Sequence, residues 1–175
     1  WFIEKRALDG AKINDIITFQ TINLPQKATT VVSAGGNDLL EIIDIIFNDK
    51  EMSYHQSIQS LRDFIDRFES NYSSLLNSLN RSCLCLTIYN PAFCYFNDFG
   101  KLSAYQSTCE ISIRIFNDII QNLTKKSGFD LLELRDLMTE ENDYSNSIEP
   151  SHYGGKKIAS EISRWAKDFK LEIKK

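Results

Sequence analysis

The sequence predicts an α/β chain built on a parallel sheet with helices on both faces. Three short apolar runs, Thr29 to Ala34, CLCLTIY (83–89) and FDLLEL (129–134), have the length and composition of fully buried strands. Stretches with helical spacing lie between them, and strands alternating with helices argue for parallel pairing. The chain has no internal repeat, low-complexity tract or Pro/Gly-rich linker, which favours one domain over 1–175.

The elements follow in order. Trp1 to Ala7 is expected to form a short strand ending at Asp9-Gly10. Residues 11–23 place Ile13, Ile16, Ile17 and Phe19 or Gln20 on a helical stripe, which Pro25 stops. Leu39 to Phe47 is apolar almost all round, so a helix there is expected to be buried on most faces. From Tyr54 to Leu79 the pattern turns amphipathic, with Ile58, Leu61, Phe64, Ile65, Phe68, Tyr72, Leu75 and Leu76 in i, i+3, i+4 spacing. Asn90-Pro91 ends the second strand, and an aromatic loop with Phe93, Tyr95, Phe96 and Phe99 follows. A helix is predicted over 104–126 with Ile111, Ile115, Ile119 and Leu123 on its stripe, stopped by Gly128. The last helix, about 155–170, carries Ile158, Ala159, Ile162, Trp165, Ala166 and Phe169.

Composition excludes several classes. Hydrophobic residues are 42% and charged residues 25%, the balance of a globular protein with one sizeable core. A net charge of −4 provides no basic field for nucleic acid, and the lysine-rich KDFKLEIKK end, with Lys174 and Lys175, is expected to be a solvated tail. No apolar run reaches membrane-span length. Cys83 and Cys85 alternate along a strand and point to one face, a poor geometry for pairing with each other. With Cys94 and Cys109 they read as reduced thiols. No CxxC occurs, and His55 and His152 are far from any cysteine pair in sequence, so no zinc site is expected.

In a parallel sheet, ligands sit beyond the carboxyl ends of the strands. The loops there are DG (9–10), GGND (35–38), NPAFCYFNDFG (90–100) and the stretch from Asp136 to Gly155. Gly35-Gly36 could present backbone N–H groups to a phosphate, but no GxGxxG or GxxxxGK[ST] is present, and Asp38 would repel the anion. An acyl-transfer site needs a nucleophile, a His base oriented by a carboxylate, and neutral donors for an oxyanion. Asn37 can donate from its amide and Gly10 from an unobstructed backbone N–H. His152 follows Glu149 by three residues, so that carboxylate can orient the imidazole.

The order ALDGAKINDI, VVSAGGNDLL, LTIYNP and DYSNSIEPSHYGGKKIASEI resembles the GDSL, or SGNH, hydrolase superfamily over nearly the whole chain. The resemblance implies a flavodoxin-like three-layer α/β/α sandwich and an ester hydrolase acting on a small ester or acylated substrate, without cofactor. It implies that Gly10 and Asn37 form the oxyanion hole, that His152 is the base and that Glu149 orients it. Asp38 would brace the loop or cap the helix. The family's Gly-Asp-Ser block does not occur in the chain, so the nucleophile and a first strand–helix unit, roughly thirty residues, are expected upstream of Trp1. Glu149 stands where the common block has Asp, and in the IEPS branch the position of His152 need not be His. The alternative is a non-catalytic binding module on the same fold.

Overall fold

The computed structural model describes residues 3–48, 52–79, 82–96 and 102–172; for 46–48, 102–104 and 169–172 it describes only the backbone. Phe99, Lys174, Lys175 and the side chains of Phe47 and Phe169 lie outside the described residues. The architecture is α/β, with a three-stranded parallel sheet in the order β1-β2-β3. Strand β1 is Thr30–Ser33, β2 is Cys83–Leu86 and β3 is Asp130–Leu132. Helices α1 (Ile13–Asp15, continued by a π-helical turn Ile16–Gln20), α2 (Gly36–Asn48), α3 (Tyr54–Asn77), α4 (Phe93–Phe96), α5 (Leu102–Lys126) and α6 (His152–Glu172) complete the order. No helix among the described residues is long and apolar enough to cross a membrane.

The chain packs as two compact units, Trp1–Ile88 with Ser112–Leu131, and Tyr89–Ile111 with Leu132–Lys175. In the first unit β1 and β2 run parallel, Thr30 opposite Cys83 through Ser33 opposite Leu86. All four residues of β2 are buried, as the apolar run requires. Helix α3 begins at a capping box. Ser53 accepts from the Gln56 N–H, and Gln56 accepts in return from the Ser53 N–H at 2.8 Å. Its apolar stripe buries Phe64, Phe68, Tyr72, Leu75 and Leu76. Phe116 of α5 meets that stripe, its ring centroid 4.4 Å from Phe68 in an edge contact and 5.7 Å from Phe64.

Several expectations are corrected. Residues 3–7 form no strand; Arg6 instead donates to the carbonyls of Gln20 and Ile22, so side-chain bonds, not a ladder, hold this segment. Trp1 and Phe2 lie outside the described residues. Phe19 is exposed, leaving Ile13 and Ile16 as the buried part of the first helical stripe. Helix α2 is two-faced: Asp38, Leu39, Ile42 and Ile43 are buried, while Glu41, Asp44 and Ile45 face solvent. The 93–96 part of the aromatic loop is the single helical turn α4, with Phe93 buried. Strand β3 is shorter than expected and mostly exposed, consistent with its place at the end of the sheet order.

The stripe of α5 is also displaced. Ile111 is 60% exposed, and the buried line is Cys109, Ser112, Ile113, Phe116, Asn117, Ile120 and Thr124. Asn117 explains both this shift and the early end of β2. Its Oδ1 accepts from the Ile88 N–H at 2.8 Å and its Nδ2 donates to the Ile88 carbonyl at 2.7 Å. A buried side-chain amide thus satisfies both backbone groups of Ile88, just past the strand.

The thiols are free, with Cys83, Cys85 and Cys109 buried and Cys94 exposed. The Cys83 and Cys85 sulfurs are 3.8 Å apart, in contact but far beyond the roughly 2.05 Å of a disulfide. Ellman's reagent is therefore expected to titrate one thiol in the native protein and all four after denaturation. A fast count of three or four in native buffer would contradict this burial.

Candidate functional site

In the first unit the structure brings the DG and GGND loops together. Leu8 to Ala11 form a turn in which the Ala11 N–H meets the Leu8 carbonyl at 3.4 Å, with Gly10 in the left-handed region at φ +72°. Only glycine adopts that conformation without strain. A Cβ at Gly10 would meet no atom within 4 Å, so its surroundings are open. Across from it, β1 ends and Gly35 turns the chain at φ +107°. A side chain there would press on the Phe68 ring, 2.9 Å from the Cβ position, so the strand end is seated directly on α3.

Asn37 lies in the first turn of α2 and is half-buried. Its Nδ2 donates to the Ala11 carbonyl at 3.0 Å. That nitrogen carries two hydrogens, so this bond fixes the amide plane and leaves the second hydrogen to be directed elsewhere. Asp38 is buried, and its carboxylate accepts from the Ile13 N–H at 3.1 Å, at the start of α1. Burial pushes this carboxyl above its ordinary value, and the Ile13 N–H counteracts part of that rise. Asp38 therefore ties the segment after Gly10 to the GGND turn, the brace expected of it. Together Asn37 and Asp38 hold residues 10–13 by two side-chain bonds from one helical turn.

Glu149 and His152 belong to the second unit. His152 is the first residue of α6, where the sequence suggested a loop, and both residues are exposed. The His152 ring lies edge-on to Tyr153 at 6.2 Å between centroids. Among the described residues no ion pair joins His152 to Glu149. Their backbone is nonetheless tightly held. Asn146 Oδ1 accepts from the N–H groups of Ile148 and Glu149 at 2.9 and 2.8 Å. The Glu149 carbonyl accepts from the Ser145 N–H at 2.9 Å, and Tyr89 donates its hydroxyl to the Ile148 carbonyl at 2.7 Å. Ser151 caps α6, its Oγ accepting from the N–H groups of Tyr153 and Gly154 at 3.0 and 3.3 Å.

Three contributors to this loop escape a reading of the sequence. Asp143 is buried and ion-paired with Lys157 at 2.7 Å. Tyr144 donates its hydroxyl to the carbonyls of Asn90 and Met138. Gly154 is packed so closely against the Asp143 carbonyl and Met138 that a Cβ has no room. For Gly154 a signal does exist in the sequence, the adjacent pair Gly154-Gly155, which marks a place where backbone can approach closely. The ion pair had none, because Asp143 and Lys157 are neighbours only in the folded loop.

The fold and these loops define an α/β chain that presents polar groups at strand ends. No protein-family model and no curated protein matches the chain. Among solved structures it is similar to an extracellular lipase from Streptomyces rimosus, at 13% identity and TM-score 0.55, over 81% of this chain and 64% of that one. It is similarly close to a phospholipase A1 from Streptomyces albidoflavus NA297, at 13% identity and TM-score 0.54, over 81% and 70% of the two chains. The chain thus spans 64% of the lipase's length, and the likeness is one of fold.

Proposed function

We propose that the protein is an ester hydrolase of the SGNH type, acting through a serine acyl-enzyme on a small ester or acylated substrate. The observation that carries this reading is the clasp of Asn37 on Ala11 beside the open Gly10 turn. It offers one amide hydrogen beyond the bond to Ala11 and, at Gly10, open space where any other residue would carry a side chain. The resemblance of the sequence blocks to the GDSL superfamily and the fold shared with a lipase and a phospholipase point the same way.

In this mechanism the serine Oγ attacks the ester carbonyl carbon while His152 takes the hydroxyl proton. Negative charge moves to the carbonyl oxygen, where the Asn37 amide and Gly10 N–H donate to it. The intermediate collapses by breaking the bond to the alkoxy oxygen, which leaves as the alcohol with the proton from the imidazolium. Water then repeats the sequence on the acyl-enzyme and releases the acid. Glu149 orients the imidazole; in the resting state such contacts are often open and tighten with substrate bound.

The nucleophile belongs to a Gly-Asp-Ser block that this chain does not contain. The test is labelling of the longest natural form of the protein by a fluorophosphonate probe, with p-nitrophenyl ester hydrolysis in parallel. Labelling of one serine and ester turnover are expected. A folded protein that shows neither is instead a binding module on this fold.

A further inference from the structure

We propose that the Asp143–Lys157 ion pair is the positioning device of the loop that carries Glu149 and leads into His152 at the start of α6, an inference that rests on the hydrolase reading above. The loop between β3 and α6 has little regular structure of its own, a 3-10 turn at Glu141–Asp143 and one bridge between Tyr144 and Pro150. A segment of this kind is expected to move unless its backbone polar groups are taken up from within. Here Asp143 takes up several of them. Its side chain is 1% exposed, and Oδ2 accepts from the N–H groups of Thr139 and Glu140, each at 3.0 Å.

The same carboxylate receives the Lys157 ammonium, at 2.7 Å on Oδ1 and 2.9 Å on Oδ2. Lys157 stands on α6, so one residue joins the start of the loop to the helix that follows it. The Asp143 carbonyl accepts from the Ser151 N–H at 2.7 Å, which fixes the residue immediately before His152. Burial pushes the Asp143 carboxyl up, but Lys157 and the two backbone N–H groups outweigh it and hold it below the ordinary carboxylate value. The pair is therefore intact throughout the neutral range in which an imidazole base works.

Only the carboxylate of this pair is buried, the Lys157 side chain being 39% exposed. Such a pair is poor evidence for stability, because desolvation of the carboxylate offsets part of the attraction, and its best-supported use is to specify one arrangement. The arrangement specified here is unusual in one respect. The backbone on either side of Pro150 is fixed from the inside, while the side chains of Glu149 and His152 remain exposed. Neither residue of the pair touches substrate in this scheme; they act through the loop.

The experiment compares Lys157→Met, Lys157→Arg and Asp143→Asn with the parent protein in its longest natural form. Hydrogen exchange of the amides of Glu149 and Ser151 is measured beside p-nitrophenyl ester kinetics. Lys157→Met is expected to speed exchange at these amides about tenfold or more while Phe116 and Ile120 of α5 keep their protection. It should lower kcat by about 10- to 100-fold with KM within about twofold, as misplacement of a base does. Lys157→Arg should recover most of both.

Unchanged exchange in Lys157→Met overturns the proposal, as does faster exchange with kcat intact. A loss of kcat that Lys157→Arg does not recover, accompanied by global loss of protection, reduces the pair to a stability element and also overturns it. His152→Ala and Asn37→Ala run alongside. Full ester turnover in both removes His152 and Asn37 from the catalytic site, and the positioning role falls with them. No ester turnover in the parent protein removes the hydrolase reading itself, a result distinct from any in the Lys157 series.

Discussion

If the proposed ester hydrolysis holds, Asn37→Ala is expected to lower kcat for a p-nitrophenyl ester by about 10²–10³, with KM little changed. The size follows from the worth of one oxyanion donor, about 2.7–4 kcal/mol of transition-state stabilisation. The geometry explains why the loss should fall on kcat. The 3.0 Å bond to the Ala11 carbonyl fixes the amide before substrate arrives, and in the proposed mechanism the charge that its remaining hydrogen meets exists only in the tetrahedral intermediate. Stability should change far less, by about 1 kcal/mol, because only one neutral hydrogen bond is lost. Asp38→Asn is the useful comparison, since it keeps the side chain's shape but removes the negative charge to which the Ile13 N–H donates. Near-normal turnover by a folded Asn37→Ala enzyme would remove Asn37 from the oxyanion hole.

Phe116→Ala is expected to cost about 3–5 kcal/mol of unfolding free energy, read from the denaturant midpoint at unchanged slope. Phe116 is completely buried and touches the rings of Phe64 and Phe68. The cavity would open on the far side of the ring that supports Gly35. A second consequence follows: Phe68, released on one face, can withdraw from the GGND turn, and amide exchange there should quicken. A cost below about 1 kcal/mol would mean that α3 and α5 close over the space and that the aromatic cluster is not the keystone of this unit.

The parts of the fold that were legible in the sequence are those where polarity and burial agree. The start of CLCLTIY is apolar and buried, and the long stripe from Phe64 to Leu76 is a simple amphipathic helix. Thr30–Ser33 is a strand as expected, but it is not buried on both faces, since Val32 is buried while Val31 and Ser33 are exposed. Legibility failed where a polar residue is buried to satisfy backbone groups. Asn117 occupies a core position on α5 because Ile88 needs two hydrogen bonds, and no periodicity rule anticipates that. Arg6 similarly replaces an expected strand with side-chain bonds to carbonyls far along the chain. At the candidate site, the residue types of Gly10, Asn37, Glu149 and His152 could be singled out, but Asn37 and His152 stand in the first turns of α2 and α6 and not in loops. The Asn37–Ala11 clasp and the Asp143–Lys157 pair were not legible, because both link residues distant in sequence.

The pairing of β1 with β2 also bears on how quickly this chain reaches its native state. Their ladder joins positions 53 residues apart, as between Thr30 and Cys83, with α2 and α3 lying in the intervening chain. Closing so long a loop costs entropy before any strand contact repays it. Helix α3, with its capping box and local stripe, can form within a microsecond or so. The sheet must wait for α3 to bring Cys83 within reach of Thr30. Refolding should therefore show early helical signal followed by a slower phase that reports burial of the β2 thiols.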